Sequence, residues 1–457
     1  MSTLKRDHVP AVNEAIRALG NTIRHMVVEA ISSNHLVPGE YRAYQRKLYN
    51  FTYDDSGVVV PRAEGDYISL KSWFRAWEVL ESLIKAHPSF KEALDTLQQN
   101  YPALPFADWL DSFMKAIISV SLPECGKVCK PEEIVERFLK DLAGGPVTHT
   151  AQVFLQGIVL RSEEVEVETG ICIRKPQKEE LEIPIPAELA ELFPRYPSAI
   201  VEIRTVGARE RSPQLIQEQV ERCVLLLRLF NVGSVKWMRY ELSSDSIINQ
   251  WPHGSLTSGD KNAASETYVI ATEDEPNLRQ FWQVMSPKLP REMYGFQKRV
   301  TPITLAYDRY SDALLLDGIL ERRMANAVMG LEALFLKESQ ELSNRLSLRV
   351  SKLASVISKR KPLEVRSMLK DAYDIRSTFA HGGHLSDDKR KRIETKYGSS
   401  KALLTDLINH LRASIIAAIM CGMKKDVLIN LIDNALLDIQ EHERLTNLMS
   451  NTAVLVS

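Results

Sequence analysis

Cysteine is scarce in this chain. Its five cysteines, Cys125, Cys129, Cys172, Cys223 and Cys421, are odd in number and thinly spread over 457 residues. That excludes a disulfide framework and fits free thiols in a reducing cytoplasm. Cys125 and Cys129 form a lone C-x3-C beside Lys127 and Lys130, and no second Cys/His pair follows at finger-like spacing, so no zinc site is expected. Long apolar runs are missing as well. No stretch of 18 uncharged apolar residues occurs, which argues against a membrane span. The most apolar segment, Ala413–Met423, reads as a buried helix. Met1–Arg17 carries scattered charges and no apolar signal core, so a cytoplasmic rather than secreted chain is expected. A phosphate-binding loop is also lacking, because Gly254-Ser-Leu-Thr-Ser-Gly259 has no P-loop lysine.

What is present is ordinary globular composition, 44% hydrophobic and 26% charged, at a length that suggests two to four domains. The net charge of −1 argues against a protein that coats nucleic acid, yet Glu341–Ser400 holds 14 Lys and Arg against 7 Asp and Glu. Such a segment attracts a polyanion. The plainer reading is a solvated helical face with a basic loop at Lys389–Arg392.

Periodicity divides the chain into three regions, giving a mixed fold class. Residues 1–145 read as mainly helical. Tyr67–His87 repeats Trp73, Trp77, Leu80, Leu83 and Ile84 at helical spacing before Pro88, and Pro131–Leu142 opens on Pro-Glu-Glu and stops at Gly144-Gly145-Pro146. Residues 146–304 read as an α+β sensor or docking domain. Strands are expected at Val153–Leu160, Glu164–Glu168, Ile171–Arg174, Ala199–Thr205 and Val235–Leu242, with an extended Ile183–Pro186 and a helix at Pro213–Phe230. Ile247–Ser265 reads as a polar loop. Residues 305–457 read as an antiparallel bundle of four or five helices: Ala313–Leu336, Leu342–Ile357, one from Pro362 to Gly382-Gly383, Lys401–Met423 and Asp426–Leu437.

One stretch carries concrete chemistry: Tyr373–Gly383, Y-D-I-R-S-T-F-A-H-G-G. It places Arg376, which can grip a phosphate, five residues before His381, which can move a proton, with Ser377 between them. Five residues of continuous helix turn the chain by about 500°, leaving the two side chains about 140° apart. They converge only if the helix ends between them or a two-fold axis pairs two copies. Glu332, among apolar residues, needs a partner, and Arg345, Arg349 and Arg376 are the candidates. Tyr373 shares the helical face of Arg376, as a packed aromatic or as a stacking platform. His384 makes H-x2-H with His381, and Asp387 and Asp388 follow, which leaves a metal-dependent site as the sharp alternative.

The helices resemble the HEPN superfamily, specifically its Apea-like branch, on three segments in order. These are Met329-Gly-Leu-Glu-Ala-Leu334, Glu341-Leu-Ser-Asn-Arg-Leu-Ser-Leu-Arg349 and the motif Arg376-Ser377-Thr-Phe-Ala-His381, preceded by Tyr373 and followed by glycine. The resemblance covers about Ala313–Leu437. It departs from the family pattern at Ser377, where many active members carry asparagine. It implies a HEPN bundle that pairs as a homodimer and a metal-independent, cofactor-free endoribonuclease acting on RNA, in bacterial defence or toxin-like growth arrest. Arg376, Ser377 and His381 are then catalytic, with Glu332, Tyr373, Arg345, Arg349 and His384 supporting. Residues 1–304 would receive a trigger or regulator, and no membrane is involved. The competing reading is a non-catalytic HEPN dimer that binds RNA or a protein partner.

Overall fold

The structure is a computed structural model. It describes residues 10–33, 43–53, 59–70, 77–100, 106–121, 130–177, 180, 197–207, 213–248, 256–257, 266–295, 298–315, 318–338, 340–358 and 360–456, with 43–53, 59–70, 77–78, 213–215 and 256–257 described by backbone alone. Trp73, Cys125, Cys129 and Ile183–Pro186 lie outside these residues. The fold class is mixed: helices predominate around a small antiparallel sheet.

In the N-terminal region, α1 (Pro10–Ser32), α2 (Trp77–Ala86), α3 (Pro88–Asn100), α4 (Phe106–Ser121) and α5 (Pro131–Leu142) enclose their own apolar core, with Ile16, Leu19, Phe113 and Phe138 at its centre. Between α1 and α2 lies an antiparallel hairpin, β1 (Ala43–Tyr53) and β2 (Val59–Leu70). This corrects the helix expected over Tyr67–His87. Tyr67–Leu70 pairs with Ala43–Arg46 as strand, and the part of the range from Trp77 to Ala86 is helix. The ladder with a segment some twenty residues upstream overrides a local helical spacing.

Residues 147–285 build a six-stranded antiparallel sheet of order β5-β6-β7-β3-β8-β9. Its strands are β3 (Val147–Gln156), β5 (Glu164–Glu168), β6 (Ile171–Arg174), β7 (Ala199–Gly207), β8 (Lys236–Ser244) and β9 (Leu256–Thr257). A small parallel pair, β4 (Ile158–Leu160) and β10 (Tyr268–Ile270), lies beside it. In β5 the buried valines alternate with exposed glutamates, the pattern of a strand covered on one face. Two helices accompany the sheet, α6 (Pro213–Phe230) and α7 (Glu275–Met285). Asp141 at the end of α5 joins this layer to the N-terminal helices. Its buried carboxylate accepts hydrogen bonds from the Ser246 hydroxyl (3.0 Å) and from the N–H groups of Ile247 (2.7 Å) and Ile248 (3.1 Å).

Eight helices follow: α8 (Pro302–Leu315), α9 (Leu320–Phe335), α10 (Leu342–Ile357), α11 (Pro362–Ala380), α12 (Asp387–Tyr397), α13 (Ser400–Cys421), α14 (Lys425–Ala435) and α15 (Ile439–Val456). The single helix expected over Ala313–Leu336 is two helices. Gly318 has φ 143°, a value side-chain-bearing residues avoid, and Ile319 is extended before α9 starts. Lys389–Arg392, expected as a loop, is helical: Ser386 caps α12 and Asp387 and Asp388 fill its first turn. Gly330 of α9 sits where a Cβ would lie 2.7 Å from a Leu411 methyl, so the small residue lets α9 approach α13 closely. Among the described residues, α13 is long and apolar enough to cross a membrane, but 67% of its most apolar window is buried inside the protein.

One apolar cluster runs unbroken from the sheet (Val153, Leu155, Val201) through α6 (Leu226, Leu227) into the C-terminal helices (Tyr310, Leu331, Leu411). Polar contacts fasten the same junction. The last carbonyls of a helix have no intrahelical partner. At the end of α6 the Leu227 carbonyl accepts from the Tyr268 hydroxyl (2.9 Å) and that of Arg228 from the Tyr310 hydroxyl (2.6 Å). The carbonyls of Leu229 and Phe230 both accept from one Nη of Arg412, at 2.9 and 2.8 Å. A cation there also complements the negative end of the helix dipole.

Candidate active site

The Arg/His stretch forms the last turn and a half of α11. The double glycine ends the helix by a defined mechanism. Gly382, at φ 71°, donates its N–H to the Phe379 carbonyl (3.0 Å), and Gly383 donates to that of Thr378 (2.9 Å), the reciprocal pair of a Schellman cap. His381 is the capping residue and its side chain is exposed, as is His384 just beyond. Arg376 lies one turn and a half back, half-buried, and faces α9 instead.

There Arg376 Nη2 donates to Glu332 Oε2 at 3.1 Å, with the two side chains 27% and 16% exposed. Tyr373 completes the group: it lies close enough to lower the Glu332 carboxyl, and the Arg376 guanidinium carbon stands 5.7 Å from its ring centroid. Burial pushes the Glu332 carboxyl above its ordinary value, and Arg376 and Tyr373 offset this only in part. Glu332 Oε1 and Arg376 Nε are buried without a hydrogen-bond partner among the described residues, so the pair is held by one of the two bonds a fork could make. Arg376 Nη1 has no partner among the described residues either. Ser377 is half-buried beside it.

Of the three arginines weighed against Glu332, only Arg376 reaches it. Arg349, 2% exposed, is a clasp. It makes two bonds to Asp433 (both 2.8 Å), two to Glu338 (2.9 and 2.7 Å) and one to the Phe335 carbonyl (2.7 Å), tying α9 and α10 to α14. Its hydrogen bonds hold the Glu338 carboxyl down at about 2. Arg345 pairs with Glu338 and Glu341 at the rim. Sequence reasoning missed these carboxylates. The signal available was a fully charged arginine on an apolar helix face, which requires acidic partners.

The basic surface around the site is built by α12, whose Arg392, Lys396 and Tyr397 converge on Asp371 of α11 at 3.1, 2.5 and 2.7 Å. Burial alone would raise the Asp371 carboxyl, and Lys396, Tyr397 and Arg392 together bring it below its ordinary value. Docked this way, α12 leaves Lys389, Arg390 and Lys391 exposed just beyond His381 and His384. Among the described residues no three His, Cys, Asp or Glu side chains gather as a metal ion would require. Of the cysteines described, Cys172, Cys223 and Cys421 are free, and burial pushes the Cys223 thiol up to about 12, which makes it inert.

No family model, no curated protein and no solved structure matches this chain. The site is therefore judged on its own chemistry.

In a single chain the arrangement offers a half-buried guanidinium with one uncommitted Nη, a hydroxyl next to it, and an exposed imidazole at the end of the same helix. An imidazole as a residue type titrates near neutrality. Arg376 is turned to Glu332 of α9, and the His381 side chain is exposed at the cap of α11.

Proposed function

We propose that the chain is a metal-independent endoribonuclease of the HEPN type, working as a homodimer in which the α11 helices of two copies face each other across a shared cleft. RNA carries its own nucleophile, the 2′-hydroxyl. His381 takes that proton as the oxygen attacks phosphorus, the P–O5′ bond breaks, and the departing 5′ oxygen is protonated by the second imidazole of the pair. Arg376 holds the non-bridging oxygens as charge builds, where a planar fork serves better than a lysine. Ser377 hydrogen-bonds the phosphate. The products are a 2′,3′-cyclic phosphate and a 5′-hydroxyl. The exposed basic residues of α12 draw the polyanion to the site, and residues 1–304 receive the trigger.

The observation that carries this reading is the division of labour on α11: the Schellman cap leaves His381 exposed at the helix end while Glu332 and Tyr373 fix Arg376 one and a half turns behind. The Glu332–Arg376 contact also favours a second reading, a non-catalytic dimer whose arginine is structural and whose surface binds RNA or a protein. The test is total RNA incubated with the full chain in excess EDTA, beside His381→Ala and Arg376→Ala. Cleavage by the parent alone, with cyclic-phosphate ends, is expected. Retention of RNA on the parent without cleavage supports the second reading, and activity abolished by the chelator refutes both.

A further inference from the structure

Away from the Arg/His stretch, a cavity of about 380 Å³ opens between α6, β8, α8 and the side chains of Met293, Tyr294 and Lys298. That volume lies within the range of about 300–1,000 Å³ for small-molecule sites. Aromatic side chains line it: Trp237 and Tyr240 from β8, Tyr294, and Tyr307 from α8. The floor is apolar, and the polar groups on it are few.

Those polar groups decide the sign of a ligand. Glu221 is the carboxylate present, and both its oxygens are engaged, one by the Gly295 N–H at 2.7 Å and the other by the Gln217 amide at 3.1 Å. The cations are less fully engaged. Arg228 spends its Nε on the Val235 carbonyl (2.9 Å), while its two Nη groups have no partner among the described residues. Lys298 pairs with Asp308 at 2.8 Å, but both side chains are about half exposed, and such a pair holds weakly and exchanges readily. Glu221 keeps its charge, because its donors are neutral, but its oxygens are occupied; the hydrogen-bonding groups left free in the cavity are the cationic donors of Arg228. A guanidinium with a free pair of Nη groups binds a phosphate through parallel hydrogen bonds, and a flat ring stacks on Trp or Tyr.

We propose that this cavity is a nucleotide site: a nucleobase stacks against Trp237 and Tyr294 while Arg228 and Lys298 hold a phosphate. The proposal does not depend on the nuclease reading, since none of its residues belongs to α9 or α11.

The experiment is calorimetric titration of the full chain with the four nucleoside 5′-monophosphates, adenosine and inorganic phosphate. At least one monophosphate should bind saturably at one per chain, with adenosine and inorganic phosphate each about tenfold weaker or more. Arg228→Gln should remove the advantage of the monophosphate over its nucleoside. Trp237→Leu should weaken monophosphate and nucleoside alike. Lys298→Ala, an exposed change that leaves the core untouched, should weaken the monophosphate by roughly threefold and serves if either other variant misfolds. No saturable binding of any monophosphate up to about 5 mM, or binding unchanged in the folded variants among these three cavity substitutions, overturns the proposal.

Discussion

Arg349 and Arg376 stand on adjacent helices of one bundle, and substituting each should give opposite phenotypes. Arg349 is 2% exposed and makes five hydrogen bonds, four of them to Glu338 and Asp433. Removing one partner of a buried ion pair costs about 3–5 kcal/mol, mostly because the remaining charge stays buried. Here the stranded carboxylates are 22% and 39% exposed and can rehydrate. Arg349→Met should therefore fall near the lower end, about 3 kcal/mol. Arg376 makes one bond to Glu332, whose carboxyl already sits above its ordinary value and can take up a proton when the arginine leaves. Arg376→Met should cost about 1 kcal/mol. Urea denaturation of both variants with a common m-value measures the difference. An Arg349→Met loss below about 1 kcal/mol, or an Arg376→Met loss equal to that of Arg349→Met, would refute the assignment of one as clasp and the other as a functional group. Glu338→Gln and Asp433→Asn in a double-mutant cycle with Arg349→Met should each show coupling, because all three side chains share one network.

Two further outcomes follow from the junctions. Burial pushes His410 down to about 4 from its ordinary 6.5, so between those values the unfolded chain binds the extra proton and stability falls as pH drops. The full loss is about 3 kcal/mol at 1.36 kcal/mol per unit, and thermal melts of His410→Gln should be flatter than those of the parent across that window. Tyr310→Phe strips the hydroxyl that caps the Arg228 carbonyl at 2.6 Å, and should cost about 1–2 kcal/mol by chemical denaturation.

What could be read from residue order was what local physics dictates. The helix Pro213–Phe230 begins on a proline and carries an apolar stripe, and the structure has it at those limits. Leu342–Ile357 matches likewise, and β5 and β6 follow from alternating valine and isoleucine. The need of Glu332 for an arginine was legible because an unpaired buried carboxylate is costly. The misses have a common cause. The β1–β2 hairpin is stabilised by a ladder between segments, and α12 has one buried side chain, Ile393, so it offers no apolar period to detect. Its cap, Ser386 followed by two aspartates, was the usable signal. The partners of Arg349 lie 11 residues upstream and 84 downstream, and spacing cannot reveal such a meeting. The same holds for the cavity, whose aromatic walls come from three segments.

The way α6 ends has a consequence for how this chain is inherited. Its final carbonyls are finished by Tyr310 and Arg412, side chains that lie roughly 80 and 180 residues further along. A gene fragment beginning at Pro302 would encode those two groups with nothing to bind, and one ending before it would leave α6 with bare carbonyls in an apolar setting. The sheet and the C-terminal helices must therefore travel together through recombination, as a single heritable unit. A cut upstream, at Gly144–Pro146, spares the α6 carbonyls but parts the buried Asp141 carboxylate from Ser246, Ile247 and Ile248, and Ile247 from the core of α1–α5.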